Sequence, residues 1–580
     1  MAAMPTPSPG RSARRRDALV LLLVLLTVAA LWITSTGRWR AAAWQEPLSY
    51  SGDAFYYFAM ATASAESHAW PFLWKKAARL GAPNGADWND FPIVNEPLWT
   101  LLGAARQLFG LAGVSLYPVL LAHLLAALGF YAAARCWGGS PATAAITALL
   151  FALSPYLLRR SFVHLNLAFA WHLPLAVVVA LWAAQPAGLS SRGRWWLGLG
   201  AALACGLQAT YYSLYFLLLL LGALLTQIFA GRRARLGRPL LLAGLTLLAS
   251  LAGNLDSLSW SWTHGKNPAA VERHLRDVEV YSLKPVELFL PAGRFAPYLA
   301  GAAEKFYYSQ LPRHSESGAA YLGLAGGAAL LLLLAAALAS LLAPARCAAP
   351  EEAWPALFAL AFATSGGLGM AMAIGGLQLF RAGNRASVLL LTIALLFAAR
   401  TLATLAPRRR LALLALLAAG GLADLPSRNR QLEAREAALF AADAELAASL
   451  EQAMPGAALF QLPLAAYPEA PPIGAFEPYE LLRLYSHSST LRFSYGAHKG
   501  RQLEAWQADI LRQPWPEALA RLRQAGFAAI AIYRHAYADR GAALAAAIEA
   551  AGGRPLPLRA AVPIRVILLP PAAAAAAPPT

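Results

Sequence analysis

LYPVLLAHLLAALGFYAAAR (residues 116–135) and YSLYFLLLLLGALLTQIFA (residues 212–230) contain no Asp or Glu, and neither does any position between Glu96 and Asp256. Water-exposed surface ordinarily carries both signs of charge. A stretch this long without an acid implies that lipid is its solvent. About 20 mostly apolar residues, at 1.5 Å rise each, cross roughly 30 Å of hydrocarbon. Working outward on that criterion, candidate spans fall at 18–35, 116–135, 142–158, 165–184, 195–208, 212–230, 239–256, 319–343, 354–375, 386–405 and 409–425. The expected fold is therefore an all-α polytopic membrane domain of about eleven transmembrane helices.

Arginine placement supplies the orientation. With a cytoplasmic N-terminus, marked by Arg11, Arg14, Arg15 and Arg16, the alternate loops contain Arg135; Arg192 and Arg194; Arg232, Arg233, Arg235 and Arg238; Arg346; and Arg408, Arg409 and Arg410. Every loop assigned to the cytoplasm then carries a cation, as positive-inside topology requires. The expected orientation puts the C-terminus outside. The first apolar run has no small-residue cleavage site after it, so it reads as a retained helix and not a cleaved signal.

Composition agrees. Of 580 residues 58% are hydrophobic and 13% charged, against about 25% charged in soluble domains. The net charge of +18 first suggests nucleic acid. The arginines, however, sit in short clusters between apolar runs, so no nucleic-acid partner is expected. Cys136, Cys205 and Cys347 form no CxxC pair, which argues against a disulfide framework or a zinc site.

Three large pieces fall outside: loop 36–115, loop 257–318 and the tail from 426. Residues 1–17 read as a disordered basic cytoplasmic tail, 18–425 as the membrane domain carrying both loops, 426–570 as a small extracytoplasmic α/β domain, and 571–580 as a low-complexity end. Within 426–570, strands are predicted at 458–464, 491–495, 528–533 and 563–569, and helices at 428–452, 502–525 and 539–551. The cytoplasmic loops are too short for a nucleotide-binding domain and carry no Gly-rich phosphate loop.

The first loop opens SYSGDAFYYFAMATASAES (49–67). Asp53 lies close to the membrane among Phe55, Tyr56, Tyr57 and Phe58. A partly desolvated carboxylate gains proton affinity and suits a general base, as sugar transfer requires. Asp is also a favoured helix N-cap, which leaves a purely structural part open to it. RLGAPNGADWNDFPIVNEP (79–97) follows, with Asp87, Trp88, Asn89 and Asp90. Aromatic rings pack on sugar CH faces and amides satisfy hydroxyls, while the same residue types also make turns. The DWND cluster offers oxygen ligands for a divalent cation; no other cofactor is implied.

Cations fall on the outer side in SPYLLRRSFVHLN (154–166), with Arg159, Arg160 and His164, and in LFRAGNRAS (379–387), with Arg381 and Arg385. They oppose the positive-inside trend and suit a lipid phosphate, although snorkelling to anionic headgroups is the plainer account. His123 and His172 lie in apolar spans, where packing is expected.

With Asp53 in the first external loop, many spans, short cytoplasmic loops and a closing external domain, the chain resembles the GT-C superfamily of polyprenyl-phosphate-dependent glycosyltransferases. More closely, it looks like a group of bacterial polytopic membrane proteins that share SYSGDAFYY, RLGAPNGADWNDFP, VEVYSLKPVELFLP, RAGNRAS, FQLPLAAYPEAPP and LRFSYGAHKGR. The resemblance implies that Asp53 is the catalytic base. Many GT-C enzymes carry two acids close together there, or an acid followed by a base; this chain has Gly52-Asp53-Ala54, so Asp90 stands as the second candidate. It further implies a polyprenyl-phosphate sugar as donor, with membrane lipid as surroundings; the expected step is an inverting transfer, and the residues themselves offer Tyr56, Tyr57, Trp88, Asn89 and the outer cations as substrate contacts. The oligomeric state is not implied. A glycolipid flippase and a non-catalytic envelope assembly factor are the rival readings. Against the first stand the large external loops and the lack of an internal repeat.

Overall fold

The computed structural model describes residues 11–68, 70–72, 75–91, 95–311, 316, 318–471, 473–477, 479–558 and 563–570. Residues 1–10 and the low-complexity end 571–580 lie outside these. Two compact units emerge from the packing. A span unit comprises Met1–Ala43, Val119–Gly253 and Arg273–Arg428, and a sheet unit comprises Trp44–Pro118, Asn254–Glu272 and Asn429–Thr580. The chain is a multi-pass membrane protein, mostly helical.

Among the described residues seven helices are long and apolar enough to cross a membrane: Arg14–Thr36, Glu96–Cys136, Pro141–Arg160, Thr210–Phe229, Arg233–Ala252, Gly323–Leu342 and Gly383–Ala403. The four other segments expected to span hold shorter apolar helices: Leu173–Ala184, Arg192–Leu207, Ala353–Ala363 and Pro407–Ala423. At 11 to 17 residues each, they fall short of a straight crossing. Two of the breaks have visible causes. Pro174, in the first turn of Leu173–Ala184, cannot continue a helix from Leu165. Beyond Ala363 the chain turns at Gly366 and Gly367, where a Cβ on Gly367 would overlap the Ala361 carbonyl. A further correction concerns the N-terminus: helix Arg11–Thr36 begins inside the stretch expected to be disordered.

In the span unit, Arg192–Leu207 packs on Gly237–Ala252, Leu173–Ala184 on Thr210–Phe229, and Ser387–Ala403 on both Gly323–Leu342 and Pro141–Ala152. Small residues bring backbones together: a Cβ on Gly206 would overlap Ala249 and the Thr246 carbonyl. Leu19, Leu22, Leu23 and Leu26 on the first helix are exposed. A helix this apolar with uncovered leucines is solvated by hydrocarbon.

The sheet unit carries a two-stranded hairpin, β1 (Lys76–Ala77) and β2 (Ala86–Asp87), and a five-stranded sheet. The latter consists of β3 (Ala458–Leu462), β4 (Arg492–Phe493), β5 (Phe527–Tyr533), β6 (Arg554–Pro555) and β7 (Ile564–Leu568), in the order β4-β3-β5-β7-β6. β3 runs parallel to β4 and β5; β7 is antiparallel to β5 and β6. The burial of Phe460, Leu462, Ile530, Ile532 and Ile567 with Leu519, Leu522 and Ile548 makes the core between sheet and helices. All four predicted strands are present. The predicted helix 502–525 is two helices, Gln502–Leu511 and Trp515–Gln524, parted at Pro514.

The unit boundaries differ from those the hydropathy implies. Segment Trp44–Pro118, which takes in the first half of helix Glu96–Cys136, and segment Asn254–Glu272 belong to the same compact unit as the closing sheet. Backbone bonds show why: the amides of Gly81 and Ala82 donate to the carbonyls of Tyr495 and Phe493, at 2.8 and 2.9 Å.

Candidate active site

Gly52 precedes helix Asp53–Glu66 with φ 53° and ψ −127°, a conformation closed to residues with a side chain. Asp53 is therefore the first helical residue, beside amides that lack intrahelical acceptors, where negative charge is favoured. Behind it the helix is buried from Ala54 to Ser64 and lies against helix Arg483–His487. This helix is what turns a run of aromatics into a wall.

The wall is continuous within the sheet unit. Tyr57 stacks on Trp99 with centroids 5.7 Å apart, and Tyr56 lies 5.2 Å from Tyr479. Tyr479 meets Tyr467 at 6.2 Å, and Tyr467 meets Tyr495 at 5.6 Å and His498 at 5.8 Å. The hydroxyls of Tyr56 and Tyr467 and both ring nitrogens of His498 are buried without a hydrogen-bond partner. Burial, then neighbouring tyrosines, then the charges of Asp53 and Glu469 push the Tyr56 hydroxyl well above its ordinary range. Burial and the Asp53 charge do the same to Tyr479. Both phenols therefore stay protonated and remain donors beside the Asp53 carboxylate.

Asp90 is placed quite differently. Arg501 grips it with Nη2 to Oδ1 at 2.6 Å and Nε to Oδ2 at 2.7 Å. Trp260 Nε1 donates at 3.0 Å and Asn267 Nδ2 at 3.1 Å. Burial raises the carboxyl's proton affinity, but the bonds from Arg501 and Asn267 and the charges of His498 and Arg501 outweigh it, leaving Asp90 below the ordinary range. A carboxylate so occupied fastens one segment to another. Neighbouring Trp88 is fully buried, its Nε1 on the Gly496 carbonyl and its ring against Tyr467. Asn89 is buried too, with its Nδ2 on Asp87 at 2.8 Å. Both sit among protein partners and not on an open sugar platform. The DWND oxygens thus accept N–H donors, and the Arg501 charge opposes a cation there. Among the described residues no group of three His, Cys, Asp or Glu side chains could hold a metal.

In the span unit, Arg160, His164 and Arg385 come together around an acid that hydropathy and motif left unnoticed. Glu316 receives Arg160 Nη2 at 2.8 Å and Arg385 Nε at 3.2 Å. These two guanidinium groups hold the Glu316 carboxyl far below its ordinary range, against the opposing effect of burial. Arg385 also lies over the Tyr211 ring and Arg160 over the Tyr156 ring, at 4.9 and 5.3 Å. Arg159 feels the charges of Arg160, Glu316 and Arg294. Burial, with Arg160 and Arg385 adding to it, lowers His164 to about 3, so this side chain is neutral and not a cation. Arg381 belongs elsewhere, 3.5 Å from Asp277 and over the Tyr281 ring. His123 bonds the Ala152 carbonyl at 2.6 Å, and His172 packs against Tyr212, as expected of packing residues. An apolar cavity of about 220 Å³ among Leu150, Leu322, Leu391 and Leu425 holds none of these polar groups.

Tyr467 and Glu469 were not singled out in sequence, whereas Tyr479 and His498 lie in 476–501, a stretch whose Tyr, His and Arg content fits either a part of the site or ordinary domain surface. That content was the available signal. Nothing in the spacing links them to Asp53.

No protein-family profile matches the chain, and no curated protein sequence is similar to it. Solved structures do match in fold. The mycobacterial arabinofuranosyltransferase AftD superposes on 96% of this chain and 40% of its own, with a TM-score of 0.50 and 16% identity. The chain thus spans about two fifths of AftD's length. The Archaeoglobus fulgidus oligosaccharyltransferase AglB, solved with an inhibitory peptide and a dolichol-phosphate, matches over 88% and 69%, at TM-score 0.43 and 11% identity. ArnT from Cupriavidus metallidurans, bound to undecaprenyl phosphate, matches over 97% and 99%, at 0.42 and 14%. The chain therefore shares its fold with the mycobacterial arabinofuranosyltransferase AftD over nearly its whole length.

Proposed function

We propose that the chain is an inverting glycosyltransferase of a bacterial inner membrane. It takes a sugar from a polyprenyl-phosphate donor and passes it to an extracytoplasmic acceptor. The topology that goes with this reading has about eleven crossings, a cytoplasmic N-terminus and the sheet unit outside. The observation that carries it is the setting of Asp53: a carboxylate at a helix start, beside buried phenols, in a chain with the GT-C-type fold.

In the proposed step the acceptor oxygen bonds to the anomeric carbon and its proton passes to Asp53. The bond between that carbon and the phosphate oxygen breaks, and its electron pair leaves with the lipid phosphate. A single displacement inverts the configuration. Protonated Tyr56 and Tyr479 supply donors that fix the orientation of the Asp53 carboxylate or of a sugar hydroxyl. In the span unit, taken by itself, Arg160 and Arg385 share one acid, Glu316, so that trio keeps a net positive charge. A lipid-linked donor waits at the membrane surface, which explains why short cytoplasmic loops suffice.

Mass spectrometry of envelope glycans in a deletion strain tests this. Loss of one defined sugar is expected, restored by the wild-type gene and not by Asp53→Asn. An unchanged glycan profile with accumulated lipid precursor would favour the flippase reading instead.

A further inference from the structure

The residues just ahead of Asp53 have no secondary structure of their own, yet three acids of the closing domain hold them. Glu436 accepts the Tyr50 amide through Oε2 at 3.0 Å and the Ser51 hydroxyl through Oε1 at 2.6 Å. Glu477 Oε2 accepts the Gly52 amide at 2.7 Å. Asp443 Oδ2 accepts the Tyr50 hydroxyl at 2.7 Å. Behind Asp443 the network continues inward. Arg483 grips both its oxygens at 2.7 Å, reaches Glu480 at 2.6 Å, and Glu480 meets His535 at 2.8 Å just beyond β5. Asp443 and Arg483 are almost fully buried, so this inner part is rigid.

We propose that Glu436, Asp443 and Glu477 are positioning residues that fix the Tyr50–Gly52 segment, and with it the place where Asp53 enters its helix; this rests on the catalytic reading of Asp53. The closing domain thereby serves as the mould for the catalytic loop.

Two features favour positioning over simple stabilisation. First, Ser51, Gly52 and Asp53 are half-buried and Glu477 is exposed. Contacts at such a surface contribute little to global stability but can govern local opening. Second, Gly52 has no side chain to cap the helix, and its left-handed backbone makes the segment soft. From more than 400 residues away in sequence, the carboxylate of Glu477 accepts the Gly52 amide, the N–H that the third helical residue holds in a capping box and that Phe55 cannot. A displacement of about 1 Å at a catalytic group can cost on the order of a hundredfold in rate, so a soft segment of this kind needs external fixing.

The test uses the full chain in lipid nanodiscs, with hydrogen exchange read on peptides covering 48–60 and envelope sugar measured in the complemented deletion strain. Glu477→Ala and Glu436→Ala are expected to raise exchange in that segment about tenfold, with the sheet and the helix Arg430–Ala453 unaffected, and to lower sugar transfer at least tenfold. Glu477→Gln keeps an oxygen for the Gly52 amide and should restore both readings. Glu436→Gln should restore them only in part, because its amide nitrogen cannot accept from one of the two donors. Unchanged exchange in both alanine variants overturns the proposal, as does raised exchange with unchanged transfer. Asp53→Asn is measured alongside. If it retains transfer, the catalytic reading fails, whereas the exchange results still report on the mould by themselves.

Discussion

Asp53 and Asp90 occupy the same unit, each among aromatic residues, and in sequence both offer themselves as proton acceptors, Asp53 first and Asp90 second. The structure separates them. Four N–H donors surround Asp90, two of them from one guanidinium. Asp53 begins a helix beside two protonated phenols that register its charge. An acid saturated by arginine cannot take up a proton without breaking the contacts that hold it. Glu316 and Asp443 belong with Asp90 in this respect, since each is gripped by arginine. Architecture is thus expected at the acids gripped by arginine, and the chemistry at Asp53, which starts a helix beside phenols that stay protonated.

The largest effect follows from removing the proton acceptor. Asp53→Asn should lower transfer by about a thousandfold, equivalent to about 4 kcal/mol of barrier. Its unfolding temperature should stay within a few degrees of wild type, and equal loss of both would break the contrast. Glu316→Ala should behave in the opposite way, removing the shared acid from buried Arg160 and half-buried Arg385 at a cost of about 3 kcal/mol. Thermal unfolding of the purified protein would show it.

A pH dependence comes next. Burial lowers His498 from the usual 6.5 to about 4, so the folded sheet unit holds it neutral. As pH falls below 6.5 the unfolded chain takes up the proton first. Stability is therefore fully present above that value and is lost progressively down to about 4, by on the order of 3 kcal/mol. The loss should be smaller in His498→Asn, as measured by unfolding temperature from pH 7 to pH 4.

The smallest effect is Arg501→Ala. It should destabilise the sheet unit by about 2 kcal/mol, because Asp90 keeps its charge without its partner. The same change should leave transfer per folded molecule within about threefold of wild type. A collapse of transfer at unchanged stability would move the catalytic role toward Asp90.

Local signals carried most of the fold. Apolar runs fell on each of the seven helices that, among the described residues, are long and apolar enough to cross a membrane, and short apolar runs between turn residues identified β3, β4, β5 and β7. The breaks at Pro174 and Gly366–Gly367 were also readable, since both residue types interrupt helices. What escaped was pairing over long separations. Arg501 and Asp90 stand 411 positions apart, and Tyr50 and Asp443 393. No periodicity encodes such contacts, so the two external loops were grouped with the spans they follow in the chain. β6 is two residues long and carries no pattern. Glu316 lies in a short polar loop with nothing around it that announces a partner for two arginines. At the site, the aromatic cluster after Asp53 was legible because those rings are neighbours in sequence. Tyr467 and Tyr479 were not, because only the fold brings them to it.

The most direct test follows the donor itself. Full-length protein in nanodiscs would be supplied with polyprenyl-phosphate sugars extracted from the source membranes together with the envelope fraction that holds the acceptor, and free polyprenyl phosphate would be followed by mass spectrometry. The account predicts steady release by the wild type and almost none by Asp53→Asn, with Arg501→Ala close to the wild type. Equal release by the wild type and Asp53→Asn would contradict it.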